Sequence, residues 1–261
     1  MASQSAAEIL AKQRLSLSPI NLEVDQRPAD EGEAYDLQGE VNAVLAKTRL
    51  GMASGHKIGC TTPVMQKFLG IENPCAGQVF SNTVLTGTGI ISRAAYRKLG
   101  VECEIVVEIG KDIEPQRRSN TRRTLSAHVG AVMVGIEIVD DRYSDYRSLG
   151  ACTLIADNFF NAGCVLGAPV RNWQKLDLSA LTGHMRINDS EVGRGTGAMV
   201  MGHPFEALAW LANSRSTRDQ GLRRGEFVFL GSLVETKWLN AGDRVAIEVE
   251  GLGTASLSVT A

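Results

Sequence analysis

Three glutamates carry the most chemistry in this chain. Glu102 and Glu104 stand in Val101-Glu102-Cys103-Glu104-Ile105, and Glu137 stands in Gly135-Ile136-Glu137-Ile138-Val139-Asp140. Val and Ile enrich both stretches, and Gly100 and Gly110 bracket the first, so both read as β-strands. In a strand, residues i and i+2 share a face, which sets the Cα atoms of Glu102 and Glu104 roughly 6.6 Å apart on one side. Two carboxylates at that spacing, in a strand that otherwise reads as core, repel each other and resist burial. A cation between them resolves the conflict. Mg²⁺ suits, because it takes oxygen ligands at about 2.1 Å and keeps waters that a substrate can replace. Glu137, flanked by Ile136 and Ile138, is the natural third ligand. The E-x-E spacing also fits a solvated strand face, and Glu108 fits that reading; the third acid in a second apolar strand favours the metal.

The surrounding chain supplies the elements that must position these groups. Ala6 to Leu15 and Glu31 to Leu50 have helical apolar spacing, and Gly51 and Gly55 close the second. We read residues 1–50 as an N-terminal helical region, either capping the body or reaching a neighbouring subunit, and 51–261 as a β-rich catalytic domain. Lys57-Ile58-Gly59 lies in a short strand, and Thr62 to Leu69 reads as a short helix with Pro63 in its first turn. Thr86-Gly87-Thr88-Gly89 reads as a hairpin turn, because no helix follows at the spacing that cradles phosphate. Lys111 to Arg123, with Arg117, Arg118, Arg122 and Arg123, reads as a solvated loop, with a charged lid as its functional counterpart. Leu125 to Val132 reads as a helix delivering the Glu137 strand, and Arg142 as a partner of Asp140, of Asp141 or of a Glu ligand. Asp157-Asn158 has the composition of a turn. Asn188-Asp189 centres a hairpin, His203 caps a helix that begins at Pro204, and Phe227 to Leu230 is a buried strand that ends at Gly231-Ser232-Leu233. Arg244 to Glu250 and Gly253 to Val259 form the last hairpin.

The totals narrow the function classes. A chain of 261 residues with a net charge of −2 is long enough for one sizeable core and is not a nucleic-acid binder by charge. No apolar run approaches the roughly 18 residues of a membrane span. The first residues have neither a basic n-region nor a long apolar h-region, so the expected compartment is the cytoplasm. The five cysteines are scattered without a C-x-x-C, which argues against zinc and a disulfide framework; Cys103 and Cys164 read as core thiols.

The two glutamate motifs, the latter continuing through Asp141-Arg142, resemble the metal site of the fumarylacetoacetate hydrolase superfamily. The closer likeness is to its 2-keto-4-pentenoate hydratase and 4-oxalocrotonate decarboxylase branch. Gly55-His56-Lys57-Ile58-Gly59, Ile155-Ala156-Asp157-Asn158, Val165-Leu166-Gly167, Gly202-His203-Pro204-Phe205, Gly231-Ser232-Leu233 and Gly242-Asp243-Arg244-Val245 follow in the family's order. The resemblance implies an α+β fold: a mixed-sheet, roll- or barrel-like body of the family's C-terminal type, with an N-terminal helical cap. It implies Glu102, Glu104 and Glu137 as ligands of Mg²⁺ or Mn²⁺, and Lys57 as a catalytic residue offsetting substrate charge. It places Asp157, Asn158, Ser232 and Leu233 near the substrate. The implied reaction adds water to a 2-hydroxy-2,4-dienoate to give a 4-hydroxy-2-oxo acid. Decarboxylation of a 2-oxo acid, hydrolysis of an acylpyruvate, or a non-catalytic binding role are the alternatives. A homo-oligomer, also able to associate with a pathway enzyme, is implied as well. The chain departs from its relatives at Ser81 and Asn82, where they carry aspartate after the Phe, at Phe159, Phe160 and Asn161, and at Val234, where they carry Thr.

Overall fold

The computed structural model describes residues 4–115, 119–214, 217 and 220–261. The elements in chain order are α1 (Ala6–Leu15), α2 (Glu31–Leu45), β1 (Ala53–Gly59), α3 (Pro63–Leu69), β2 (Cys75–Phe80), β3 (Val84–Thr86), β4 (Thr88–Ser92), β5 (Leu99–Ile109) and α4 (Arg122–Leu125). They continue as β6 (Val129–Asp140), α5 (Tyr146–Ala156), β7 (Asn161–Leu166), β8 (Thr182–Ile187), β9 (Ser190–Thr196), α6 (Pro204–Asn213), β10 (Phe227–Trp238), β11 (Arg244–Val249) and β12 (Gly253–Thr260). A seven-stranded mixed sheet runs β2-β1-β10-β5-β6-β7-β3, and a five-stranded sheet runs β4-β12-β11-β8-β9. The two pack face to face, β11 and β12 against β6 and β8 against β5. This is the expected α+β body with N-terminal helices, as two open sheets rather than a closed barrel.

β5 and β6 form the centre because both are almost unbroken Val/Ile runs, the pattern of strands covered on both faces. Their antiparallel register sets Glu102 opposite Glu137 and Glu104 opposite Gly135. Cys103 faces Gly183 of β8, so Glu102 and Glu104 point away from the second sheet. Cys103 and Cys164 are fully buried, and burial pushes the Cys103 thiol up to about 12, as befits inert core groups.

The helices at the start of the chain share this core. Leu10, Ala34, Val41 and Leu45 are buried in the same cluster as Val101 and Ile136. Ser5 and Glu8 close a capping box on α1, and Asp30 caps α2. α2 stops at Leu45, five residues before its expected end, where the Thr48 hydroxyl donates to the Leu45 carbonyl and Gly51 turns the chain at φ 76°. No helix among the described residues is long and apolar enough to cross a membrane.

Four other expectations need revision. Gly87 does not close a hairpin: β3 pairs with β7 in the large sheet and β4 with β12 in the small one, so residue 87 is the crossover between sheets. The segment after Leu125 is helical only to His128, and β6 begins at Val129. Of the arginine-rich loop, Arg117 and Arg118 lie outside the described residues, while Arg122 belongs to α4 and pairs with Glu206 at 3.5 Å. Finally, β10 does not end at Gly231 but runs on to Trp238. Phe229 faces Val106 and Ser232 faces Glu104, so one extra residue is inserted there. The hairpin at Asn188-Asp189 and the His203 cap stand as expected, the latter with His203 Nδ1 accepting the Phe205 N–H at 3.0 Å.

Candidate metal centre

The β5–β6 register and the bulge in β10 bring Glu102, Glu104 and Glu137 together, with one carboxylate oxygen of each lying within 4.8 Å of the others. Glu104 and Glu137 are wholly buried and Glu102 is half-buried. Each has one oxygen held by the protein. Gly231 N–H donates to Glu104 Oε2 at 2.7 Å, Asn161 Nδ2 donates to Glu137 Oε1 at 3.0 Å, and the Thr236 hydroxyl donates to Glu102 Oε1. Gly231 can do this because it sits at φ 120° in the bulge, with Thr61 so close that a Cβ would fall 2.6 Å from its side chain.

Lys57 enters from β1, which lies next to β10 in the sheet. Its Nζ is 3.3 Å from Glu137 Oε1 and donates to the Phe159 carbonyl at 3.1 Å. That carbonyl is presented by a left-handed turn, Asn158, Phe159 and Phe160 at φ 58°, 46° and 67°. Such backbone costs about 1–3 kcal/mol per non-glycine residue and persists only when its surroundings hold it. Here the Asn158 amide exchanges hydrogen bonds with Asn42 and Oδ1 accepts from Gln78 N–H at 2.8 Å. Arg142 donates to the Phe160 and Asn161 carbonyls and, through Nε and Nη2, to Asp157 Oδ2 at 3.0 and 2.7 Å. Arg14 of α1 donates to the Asn161 carbonyl at 2.9 Å. Arg142 therefore pairs with Asp157, not with Asp140, Asp141 or a glutamate of the cluster.

Of the residues placed near substrate by resemblance, Lys57, Ser232 and Leu233 line a cleft of about 620 Å³ together with Glu102 and Thr236. Asp157 and Asn158 do not line it; both are fully buried behind it and hold the turn that carries Phe159 and Phe160. Thr236, Asn161 and the Gly231 N–H are site groups that the motifs alone do not single out. The signal for Thr236 is its position two residues beyond Val234: the hydroxyl absent at 234 is offered at 236, and both residues line the cleft. Ser81 and Asn82 are exposed and outside the cleft, with Asn82 Nδ2 bonded to the Arg49 carbonyl. Asn82→Asp is accordingly expected to leave turnover within about twofold of the parent in a steady-state assay, as for a surface substitution. Arg122 and Arg123 line a separate hollow with Trp173 and His203.

The residues fit a divalent cation. Glu104 Oε1 and Glu137 Oε2 are buried without a hydrogen-bond partner. Once ionised, three carboxylates outnumber the one ammonium of Lys57 by two charges in a largely buried place. An all-oxygen donor set suits Mg²⁺ or Mn²⁺. Burial, together with the charges of Glu137 and Glu102, holds the Glu104 carboxyl well above its ordinary range. Burial pushes Glu137 up to about 7, against the pull of Lys57. Burial alone would lower Lys57, but Glu137, Glu102 and Glu104 outweigh it and hold the ammonium protonated. In the ion-free chain, folded Glu137 keeps a proton that the unfolded chain releases above its ordinary value. Stability should therefore fall as pH rises from about 5 to about 8. A bound cation removes that loss, so the rise in melting temperature on adding Mg²⁺ is expected to be larger at pH 8 than at pH 6. A pH-independent rise in scanning fluorimetry would contradict the assignment.

Residues 71–260 match the family model described as Fumarylacetoacetate (FAA) hydrolase C-terminal. The chain belongs to the fumarylacetoacetate hydrolase family. Within it, the chain is 30% identical over 259 residues to 2-keto-4-pentenoate hydratase 2 of Dechloromonas aromatica (strain RCB), covering 98% of this chain and 97% of that protein. It is 25% identical over 231 residues to 4-oxalocrotonate decarboxylase of Pseudomonas putida, covering 86% of this chain and 83% of that one. Among solved structures of the family, 4-oxalocrotonate decarboxylase from Pseudomonas putida G7, complexed with magnesium and adipate, superposes with a TM-score of 0.89 at 24% identity. That match covers 97% of this chain and 95% of the other.

Proposed function

We propose that the protein is a metal-dependent lyase that adds water to a 2-hydroxy-2,4-dienoate to give a 4-hydroxy-2-oxo acid. The observation that carries this reading is the cluster of three carboxylates beside the protonated Lys57, in which Glu102 lines the cleft and Glu104 and Glu137 each keep a buried oxygen without a partner. The similarity to several proteins named 2-keto-4-pentenoate hydratase, at about 30% identity, supports it. Glu102, Glu104 and Glu137 would hold Mg²⁺ or Mn²⁺, and the bound ion supplies the positive charge that favours the enolate form of a 2-oxo acid.

The chain's own residues do the rest. Gly231 N–H, Asn161 and Thr236 fix which carboxylate oxygens stay free. Lys57, kept protonated, acts as a fixed charge beside the enolate oxygen and not as a base. Its anchorage on the Phe159 carbonyl keeps it in place without solvent reorganisation. Ser232 and Leu233 form the wall against which the substrate's carboxylate end is set. Asp157 and Asn158 are positioning residues, acting through the turn. Phe159 and Phe160 exclude water from one side of the cleft.

The test is an incubation with Mg²⁺ and a 2-hydroxydienoate while the dienol absorbance is followed. Loss of absorbance without release of CO₂ supports hydration. Stoichiometric CO₂ from a parallel incubation with 2-oxohex-3-enedioate, which carries a second carboxylate to lose, replaces it with the decarboxylase reading that the similarity to 4-oxalocrotonate decarboxylase favours. No change with either metal overturns the enzymatic reading in favour of a binding role. The same reading carries a homo-oligomer and a cytoplasmic location, which light scattering and cell fractionation check.

A further inference from the structure

We propose that the substrate's far end is an extended apolar group, and that the cleft excludes a second carboxylate there. This rests on the functional reading in that the 2-oxo acid end is seated at Glu102, Glu104 and Glu137. From that seat an unbroken series of rings leads outward. Lys57 Nζ lies 5.4 Å from the Phe159 ring centroid, Phe159 is 5.6 Å from Phe160, Phe160 is 5.8 Å from Tyr146, and Tyr146 is 6.5 Å from Phe68. Exposure grows along the series, from 6% at Phe159 to 50% at Phe68, so it runs from the buried carboxylates to the mouth. All four rings line the cleft, and Met65 continues the apolar surface beside Phe68.

Charge on the outer part is already matched. Lys98 is the cation lining the rim; it pairs with Asp141 at 3.4 Å and lies 4.2 Å over the Trp238 ring. The other rim acid, Glu235, pairs with Lys237 at 3.5 Å. Arg147 stacks on Phe68 and Tyr146 at 5.1 and 5.8 Å but does not line the cleft. Lys57 is committed to Glu137 at the inner end. A carboxylate held between the inner rings Phe159 and Phe160, short of Arg147 at the mouth, would lose its water without gaining a partner, whereas an alkyl or aryl group would bury against them. The cleft volume of about 620 Å³ is that of a pocket for a ligand well above pentadienoate size.

The experiment is calorimetric titration of the full chain, saturated with Mg²⁺, by 2-oxobutanoate, 2-oxohexanoate, 2-oxooctanoate and 2-oxoadipate. Affinity is expected to rise about threefold per added methylene along the alkyl series. 2-Oxoadipate is expected to bind at least about tenfold more weakly than 2-oxohexanoate. Met65→Lys, at a half-exposed position that tolerates charge, is expected to shrink that gap about tenfold by supplying the missing cation. A flat alkyl series, or 2-oxoadipate binding as tightly as 2-oxohexanoate, would overturn the proposal while leaving the functional reading intact. Failure of all four acids to bind would overturn both.

Discussion

Glu104→Gln is expected to abolish metal-dependent turnover and, at the same time, to raise the melting temperature of the ion-free protein. Glu104 is fully buried, with one oxygen on Gly231 N–H and the other bare beside Glu102 and Glu137. Glutamine keeps the shape and the acceptor for Gly231 but cannot ionise, where burial and the neighbouring Glu137 and Glu102 already oppose ionisation of the native carboxyl, and its amide N–H₂ gives the remaining carboxylates a donor. Removing a buried group that resists ionisation stabilises the ion-free fold, whereas loss of a ligand charge weakens the hold on a divalent ion. A drop in turnover of about a thousandfold, of the size seen when preorganised charge stabilisation is removed, should accompany loss of the Mg²⁺-induced thermal shift. Calorimetry and the dienol assay on the same preparation check it. An active variant insensitive to EDTA, or one that is merely unfolded, would show that Glu104 has a different part.

The second large effect is on stability. Arg142→Met is expected to cost about 3–5 kcal/mol, because it strips a buried carboxylate of its main partner. Arg142 is 2% exposed and Asp157 fully buried. The guanidinium fork holds Asp157 through two nitrogens and also caps the Asp157, Phe160 and Asn161 carbonyls. Arg14 covers only the other oxygen and loosely, its Nη1 lying 3.6 Å from Asp157 Oδ1. Tyr143 contributes only a hydroxyl, 3.2 Å from Asp157 Oδ2. Arg142→Lys keeps the charge but not the fork, and should recover less than half of the loss. Because the same side chain holds the turn that offers the Phe159 carbonyl to Lys57, any Arg142→Met protein that folds should also turn over slowly. A denaturation midpoint equal to the parent's would refute the assignment.

Much of this could be read without coordinates, for particular reasons. Glu102 and Glu104 are legible because a period of two on an apolar strand is unambiguous about faces, and Glu137 because isoleucines flank it. Helix ends with a capping residue, such as Ser5, Thr62 and His203, are legible from local chemistry. Features set by distant partners are not. Gly87 looks like a turn because nothing local records that Thr86 and Thr88 enter different sheets. The extra residue near Gly231 depends on how β10 meets β5, so it mimics a strand end in the sequence. Arg142 has two adjacent aspartates in sequence and chooses a third, fifteen positions on, that only the fold brings near. Asn161 stands out in the sequence only as a departure from the relatives' pattern, with nothing local to link it to Glu137, to which it donates.

The family match begins at residue 71, but β1 lies between β2 and β10, with strands hydrogen-bonded on both its edges. A fragment trimmed to the recognisable portion would open a gap one strand in from the edge of the large sheet, parting β2 from β10. It would also discard Arg14, Gln38 and Asn42, which reach across from α1 and α2 to carbonyls and side chains around residues 155–161. The boundary drawn by similarity thus cuts through one shared sheet and core, and a shuffled or fused gene that kept only the matched part is expected to give a chain that does not fold.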